Sequence, residues 1–162
     1  MWVIDALLVA VLIFAAVTDI RERLIYNIVP ILVVLLFGIS LSISANVSLL
    51  PSHLGSFSVA ALIGIGLFST GIMGGGDVKL FAALALHYPL SGLADLGLAI
   101  AIFGALVGLF FALLTFVGQR NETVSANGHN LSNNKQRFRY AMKTPVPYGC
   151  AILLGHLYIQ FL

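Results

Sequence analysis

The sequence predicts an all-α, polytopic membrane protein with about six transmembrane helices, because long apolar runs fill most of the chain. Hydrophobic residues make up 60% of the 162 residues, charged residues only 9%, and the mean hydropathy is +1.05. Soluble domains carry roughly one quarter charged residues. Little chain remains outside the apolar runs, which excludes a folded soluble, nucleic-acid-binding or dinucleotide-binding domain. We therefore expect residues 1–162 to form a single membrane-embedded domain.

The apolar runs follow one another with short connections. The predicted spans are residues 2–18, 26–46, 54–72, 78–94, 96–117 and 146–162. No basic residue precedes Arg21, so the first run lacks the charged start of a signal peptide and is expected to be a retained helix. The fourth run is the least regular, because His87, Pro89 and Asp95 interrupt it. Five spans are the alternative arrangement.

The basic residues are confined to the segments after the first, third and fifth spans. They are Arg21, Arg23, Lys79, Arg120, Lys135, Arg137, Arg139 and Lys143. Cytoplasmic loops of membrane proteins carry an excess of Lys and Arg, so these segments are expected in the cytoplasm and both termini outside. Residues 118–145 are polar and rich in Asn, which predicts a flexible, basic cytoplasmic loop.

Two of the six acidic residues fall at span ends on the same predicted face. Asp19 follows the first span, Asp77 precedes the fourth, and two complete spans separate them. Ionisable residues near membrane depth indicate a functional site. A structural interpretation is also open, because Asp19 could pair with Arg23 four residues later and Asp77 is a suitable helix cap. Catalysis, capping and ion translocation all remain possible at this point.

The surroundings of Asp77 favour catalysis. Gly74, Gly75 and Gly76 place three residues without side chains next to the carboxyl group, which would let an extended peptide approach closely. Two neighbouring carboxyl groups can hydrolyse a peptide, one as the base that activates water and one as the acid that protonates the peptide. We therefore expect a protease that needs no cofactor.

Other catalytic centres have little support in the sequence. The four histidines, at positions 53, 87, 129 and 156, lie in separate segments without metal-ligand spacing, and Cys150 is the single cysteine. No G-x-S-x-G motif indicates a serine nucleophile. We expect neither a metal site nor a nucleophilic serine or cysteine.

The segments around Asp77 and Asp19 resemble motifs of the type IV prepilin peptidases, which are membrane aspartyl proteases of the GxGD class. GGGDVKL, at residues 74–80, is similar to the G-x-G-D-x-K-L signature of this family. DIRERLIYN, with Asp19, Ile25 and Asn27, is similar to its D-x-x-x-x-x-I-P-N element, although Tyr26 stands where the family has proline.

A third motif covers the start of the last apolar run. VPYGCAI, at residues 146–152, is similar to the Pro-Tyr-Gly segment that opens the last helix in the family. The resemblance implies that Asp19 and Asp77 are the catalytic aspartates. The candidate substrate-binding residues are the three glycines at 74–76 and Lys79. The alternative role of Lys79 is to anchor the helix at the membrane interface.

The resemblance also implies a substrate and a location. The substrate would be a prepilin or pseudopilin with a short basic leader, a Gly before the cut, a Glu after it, and an apolar helix. The enzyme would lie in the bacterial inner membrane and cut at the cytoplasmic face, in contact with lipid and with no nucleic-acid partner. The chain lacks the paired cysteines of longer, methylating members, so it resembles the short Flp-type members of Tad secretion systems. The alternatives are a small ion- or proton-coupled transporter with Asp19 and Asp77 as a relay, and a catalytically silent scaffold.

The orientation can be tested with a reporter. All basic residues fall on one predicted side of the membrane. A topology reporter fused after Leu162 should therefore show a location outside the cytoplasm, and one inserted within 118–145 should show a cytoplasmic location. A cytoplasmic signal from the fusion after Leu162 would contradict the predicted number of spans or their orientation.

Overall fold

The computed structural model describes residues 2–44, 47–125 and 148–161, and these parts are helical apart from turns and connections. The described α-helices are α1 (Trp2–Glu22), α2 (Ile28–Ser44), α3 (Leu50–Ser69), α4 (Gly75–Ala85), α5 (Leu93–Ser125) and α6 (Tyr148–Gln160). Short 3₁₀ turns precede α3 and α5. The predicted all-α fold is confirmed.

Long apolar helices establish the protein as a polytopic membrane protein. By length and composition, three described segments can cross a bilayer: Trp2–Glu22, Val47–Ser69 and Leu90–Leu114. A fourth, Ile28–Ser44, is apolar but shorter. Many large apolar side chains on these helices are exposed, as expected for surfaces that face lipid.

The observed helices differ in length from the predicted spans. α4 has only 11 residues, where residues 78–94 were predicted to span. At 1.5 Å per residue it is about 16 Å long, roughly half the hydrocarbon thickness of a bilayer. α5 continues to Ser125, beyond the predicted end at 117, so the first residues of the predicted 118–145 loop are helical. Residues 126–147 lie outside the described part, and the prediction for that part of the loop stays a prediction.

α4 lies inside the protein rather than against lipid. Six consecutive residues from Leu80 to Ala85 are buried, so the helix is covered on every side. It packs against α2 and α3 and also contacts α6. α6 in turn packs against α1 and α5. The start of α4 therefore lies close to the ends of several other helices.

Histidine side chains bind backbone carbonyls where α4 ends. The His53 Nδ1–H donates to the Leu86 carbonyl oxygen at 2.8 Å, and the His87 Nε2–H donates to the Val33 carbonyl oxygen at 3.1 Å. Pro89 follows with extended backbone and prevents the helix from continuing. A helix end buried in an apolar protein must have its polar groups paired, and the His53 bond does this for the carbonyl group at the end of α4. The His87 bond attaches the following turn to α2.

A single stripe of α1 faces the interior. Ile4, Leu8, Leu12, Ala15 and Asp19 are all buried, and their spacing of three or four residues places them on one helix face. Asp19 is thus the last member of an otherwise apolar, core-facing stripe. The fold itself carries this carboxyl group into the interior.

The contact between α3 and α4 depends on a glycine. A Cβ atom built on Gly64 would lie 2.7 Å from Cγ1 of Val78, whereas one on Gly66 would have no neighbour within 4 Å. Because Val78 is β-branched and cannot turn away freely, Gly64→Ala should push α4 outward. We expect a loss of about 1–3 kcal/mol in the free energy of unfolding. Thermal unfolding of the purified protein in detergent measures this, with Gly66→Ala as the matched control. Equal stability of the two variants would contradict this close contact.

Candidate active site

Asp19 lies in the last turn of α1 and points inward. Its side chain is 6% exposed, whereas the residues that follow it, Arg21 to Arg23, are exposed. The Arg23 N–H donates to the Asp19 carbonyl oxygen at 3.0 Å, and Arg23 itself has a left-handed φ of 53°. This conformation ends the helix and turns the chain toward α2.

The Asp19 carboxyl group binds the start of α6. The Gly149 N–H donates to Asp19 Oδ2 at 2.7 Å, a buried bond between residues 130 positions apart in the chain. The alternative interpretation of Asp19 as an interfacial partner of Arg23 therefore does not describe its position. The bond also explains how an acid is accommodated at the unfavourable, negative end of its own helix, because the positive start of α6 faces it.

Asp77 is the third residue of α4 and is also buried, with 9% of its surface exposed. The Gly74 N–H donates to its Oδ2 at 3.2 Å, as expected for an acid in the first helical turn. Its Oδ1 is buried and has no hydrogen-bond partner among the described residues. Helix capping therefore accounts for one oxygen of Asp77 and leaves the other unexplained.

The two acids are close enough to interact electrostatically. Asp77 lies in α4, which is too short to cross a bilayer, and burial raises the pKa of its carboxyl group to about 7. The charge of Asp19 raises this pKa further, while the bond from the Gly74 N–H opposes the shift. A carboxyl pair of this kind can hold one proton near neutral pH and can serve as acid and base together.

The segment after Asp19 contacts the start of α4. A Cβ atom on Gly76 would lie 3.0 Å from Cβ of Ile25 and 3.3 Å from the Ile25 carbonyl oxygen, so a side chain at position 76 would not fit. The Lys79 Nζ donates to Asn27 Oδ1 at 2.9 Å. Ile25 and Asn27 thus hold the first motif against the second. In the sequence, both residues were only members of the first motif, with no predicted role of their own.

The three glycines beside Asp77 differ in their surroundings. Gly74 and Gly75 are exposed and Gly76 is half-buried. A Cβ atom on Gly74 would lie 2.8 Å from Asp77 Oδ2. The absence of side chains therefore keeps the approach to Asp77 open and lets the backbone bind the carboxyl group.

The start of α6 supplies groups that sequence reasoning did not include in the site. In the sequence, Gly149 was only one member of the VPYGCAI motif, yet its N–H binds Asp19. Tyr148 is half-buried and close enough to Asp77 for the charge of that acid to act on it. The free N–H groups of a helix start were the available signal, since they attract carboxylates.

Tyr26, which stands where the family motif has proline, lies outside this arrangement. Its side chain is exposed and its hydroxyl group donates to Glu22 Oε2. Asp19, Ile25 and Asn27 keep their contacts around it. In the described part of the chain, no three His, Cys, Asp or Glu residues are grouped as metal ligands.

Comparison with known families agrees with this arrangement. The model of the type IV leader peptidase family matches residues 6–117, which is more than half of the chain. The match includes both Asp19 and Asp77 and stops before α6. No curated protein and no solved structure gave a significant match.

Proposed function

The chain belongs to the type IV leader peptidase family, and on this basis we propose that it is an aspartyl endopeptidase with Asp19 and Asp77 as its catalytic residues. Membership makes the protein a peptidase that acts on prepilin-like substrates. The observation that carries the aspartyl assignment is the meeting of two buried, electrostatically coupled carboxyl groups from α1 and α4. Such a pair supplies the base and the acid that peptide hydrolysis needs, with no covalent intermediate.

The proposed substrate is the leader of a prepilin or pseudopilin of the Flp type, cut at the cytoplasmic face of the bacterial inner membrane. The distribution of basic residues supports this face, because Arg21, Arg23 and Lys79 all lie beside the two acids in the sequence.

Gly74, Gly75, Gly76 and Lys79 are the proposed substrate-binding residues. The exposed glycines leave room for an extended peptide beside Asp77. Lys79 is exposed and its ammonium group is fixed by Asn27, so it presents a positive charge two residues from the catalytic acid. A carboxylate of the substrate, such as the Glu after the cut, is the complementary group.

Replacement of either acid by Asn tests the catalytic pair. Asn keeps the size of Asp but cannot exchange the proton, so Asp19→Asn and Asp77→Asn should each lower cleavage by at least about 10²–10⁴-fold. The double variant should be little worse, because the two acids act as a unit. The assay is the size shift of a co-expressed Flp-type prepilin at matched protein levels.

The matched controls are Asp5→Asn and Asp95→Asn, which change acids in the first turns of α1 and α5. Both variants should cleave the prepilin normally. Asp95 is exposed and Asp5 is partly exposed, in the first turn of α1. Full processing by Asp19→Asn or Asp77→Asn would refute the two-aspartate mechanism and favour the transporter or scaffold.

The pH dependence follows from the raised pKa of Asp77. With a pKa of about 7, the carboxyl group is neutral below this pH and charged above it. If its proton is donated during hydrolysis, kcat/KM should be retained below pH 7 and fall about tenfold per pH unit above it. The measurement is cleavage of purified prepilin in detergent across this range. A constant rate up to two pH units above neutral would exclude Asp77 as the acid.

A further inference from the structure

The start of α6 is bound to Asp19 more closely than helix packing requires. α6 begins at Tyr148, and the first N–H groups of a helix have no acceptor within the helix itself. The N–H of Gly149 is one of these, and it donates to Asp19 Oδ2 at 2.7 Å. Both residues are buried. A short bond from a helix start to a carboxylate is among the stronger hydrogen bonds in proteins.

Position 149 leaves little room for a side chain. A Cβ atom there would lie 3.0 Å from Asp19 Oδ2, 3.1 Å from Asp19 Cβ and 3.4 Å from the Ala15 carbonyl oxygen. Two of these atoms belong to the acid itself and the third to the backbone of α1. A side chain at this position would therefore force Asp19 or the adjacent backbone of α1 to shift by a few tenths of an ångström.

The two acids have unequal surroundings. Asp19 receives a short bond from the positive end of α6, which favours a negative charge. Asp77 receives a longer bond of 3.2 Å on Oδ2, and its buried Oδ1 has no partner among the described residues. A buried carboxylate oxygen without a donor is costly, whereas a protonated carboxyl group is neutral and carries a donor of its own.

We propose that Gly149 is a positioning residue of the peptidase site, which holds Asp19 as the ionised acid and leaves the proton of the pair on Asp77 Oδ1. This inference rests on the proposed aspartyl mechanism and adds the division of labour within it. Gly149 lies beyond the residues that match the family model.

The assignment gives a balanced reaction. Asp19 takes a proton from water, the water oxygen bonds to the peptide carbon, and Asp77 gives its proton to the carbonyl oxygen. In the second step Asp77 takes a proton back from the resulting diol, the bond between carbon and nitrogen breaks, and Asp19 gives its proton to the leaving amine. The products are a carboxylic acid and an amine, and both acids return to their initial states.

Within residues 2–44, 47–125 and 148–161, few other titratable groups face the pair. Tyr148 and Cys150 approach from α6, and their electrostatic partners include Asp77 and Asp19 respectively. Lys79 lies on the exposed side of α4 and is bound to Asn27. α2 contains no titratable residue, and the one in α3, His53, binds Leu86 at the far end of α4.

The first test is kinetic and uses glycines of the same region. Gly149→Ala should lower kcat by about 100-fold or more, with little change in KM, because it moves the base and not the peptide-binding glycines. The matched control is Gly155→Ala on the same helix, where a Cβ atom would lie 2.7 Å from Ile100 Cγ1, away from both acids. It should lower thermal stability and leave the kcat of the folded protein unchanged. If it does not fold, Gly97→Ala in α5 replaces it, since a Cβ atom there would have no neighbour within 4 Å.

The second test locates the proton without measuring cleavage. The infrared carbonyl-stretch band of a protonated carboxyl group is recorded one pH unit below the pKa of Asp77. The measurement compares the unmodified protein with the Asp19→Asn and Asp77→Asn variants and does not require activity. The band should disappear in Asp77→Asn and persist in Asp19→Asn. Loss of the band in Asp19→Asn with retention in Asp77→Asn, or a normal kcat in Gly149→Ala, would overturn the inference. Failure of the unmodified protein to cleave any prepilin would instead refute the proposed function, because the band can still be read.

Discussion

The cost of burying carboxyl groups in an apolar protein governs the arrangement of the other parts. Asp19 and Asp77 are buried at 6% and 9% exposure in a chain with very few polar side chains. A charge in such surroundings must be paired, solvated or neutralised by a proton. Here the backbone N–H groups of Gly149 and Gly74 donate hydrogen bonds to the two acids. The raised pKa of Asp77 also lets its carboxyl group be neutralised by a proton. Glycine is needed at both donor positions because the backbone must come within hydrogen-bond distance of the acid.

The short helix α4 also helps to hold a buried carboxyl group in place. α4 is not a complete transmembrane helix. It starts beside the two acids and ends inside the bundle after 11 residues. At its far end the His53 side chain donates to the Leu86 carbonyl oxygen, and the His87 side chain joins the residue after it to the Val33 carbonyl oxygen of α2. With six consecutive buried residues, α4 forms the centre around which α2, α3 and α6 pack. The position of Asp77 is thereby fixed from several sides.

The sequence predicted the helical class and a shared membrane face for the two acids, because apolar length and the number of intervening spans determine these two expectations. Their proximity depends on how the helices pack. It did not predict the length of α4. Residues 78–94 are mostly apolar, and hydropathy alone does not distinguish burial in protein from burial in lipid. His87 and Pro89 were the visible signs of an early end. The contribution of Gly149 could not be predicted from residue type, since its functional group is a backbone N–H that every residue except proline carries.

The contact between α6 and Asp19 has a consequence for biosynthesis. α1 and α4 enter the membrane before α6 during translation, since chains are made from the amino terminus. Until α6 has inserted, the Asp19 carboxyl group lacks the donor that it has in the folded protein. If Asp19 and Gly149 have the proposed roles, a nascent chain that contains both acids but not yet α6 is inactive. Peptidase activity would then appear only late in the assembly of the protein.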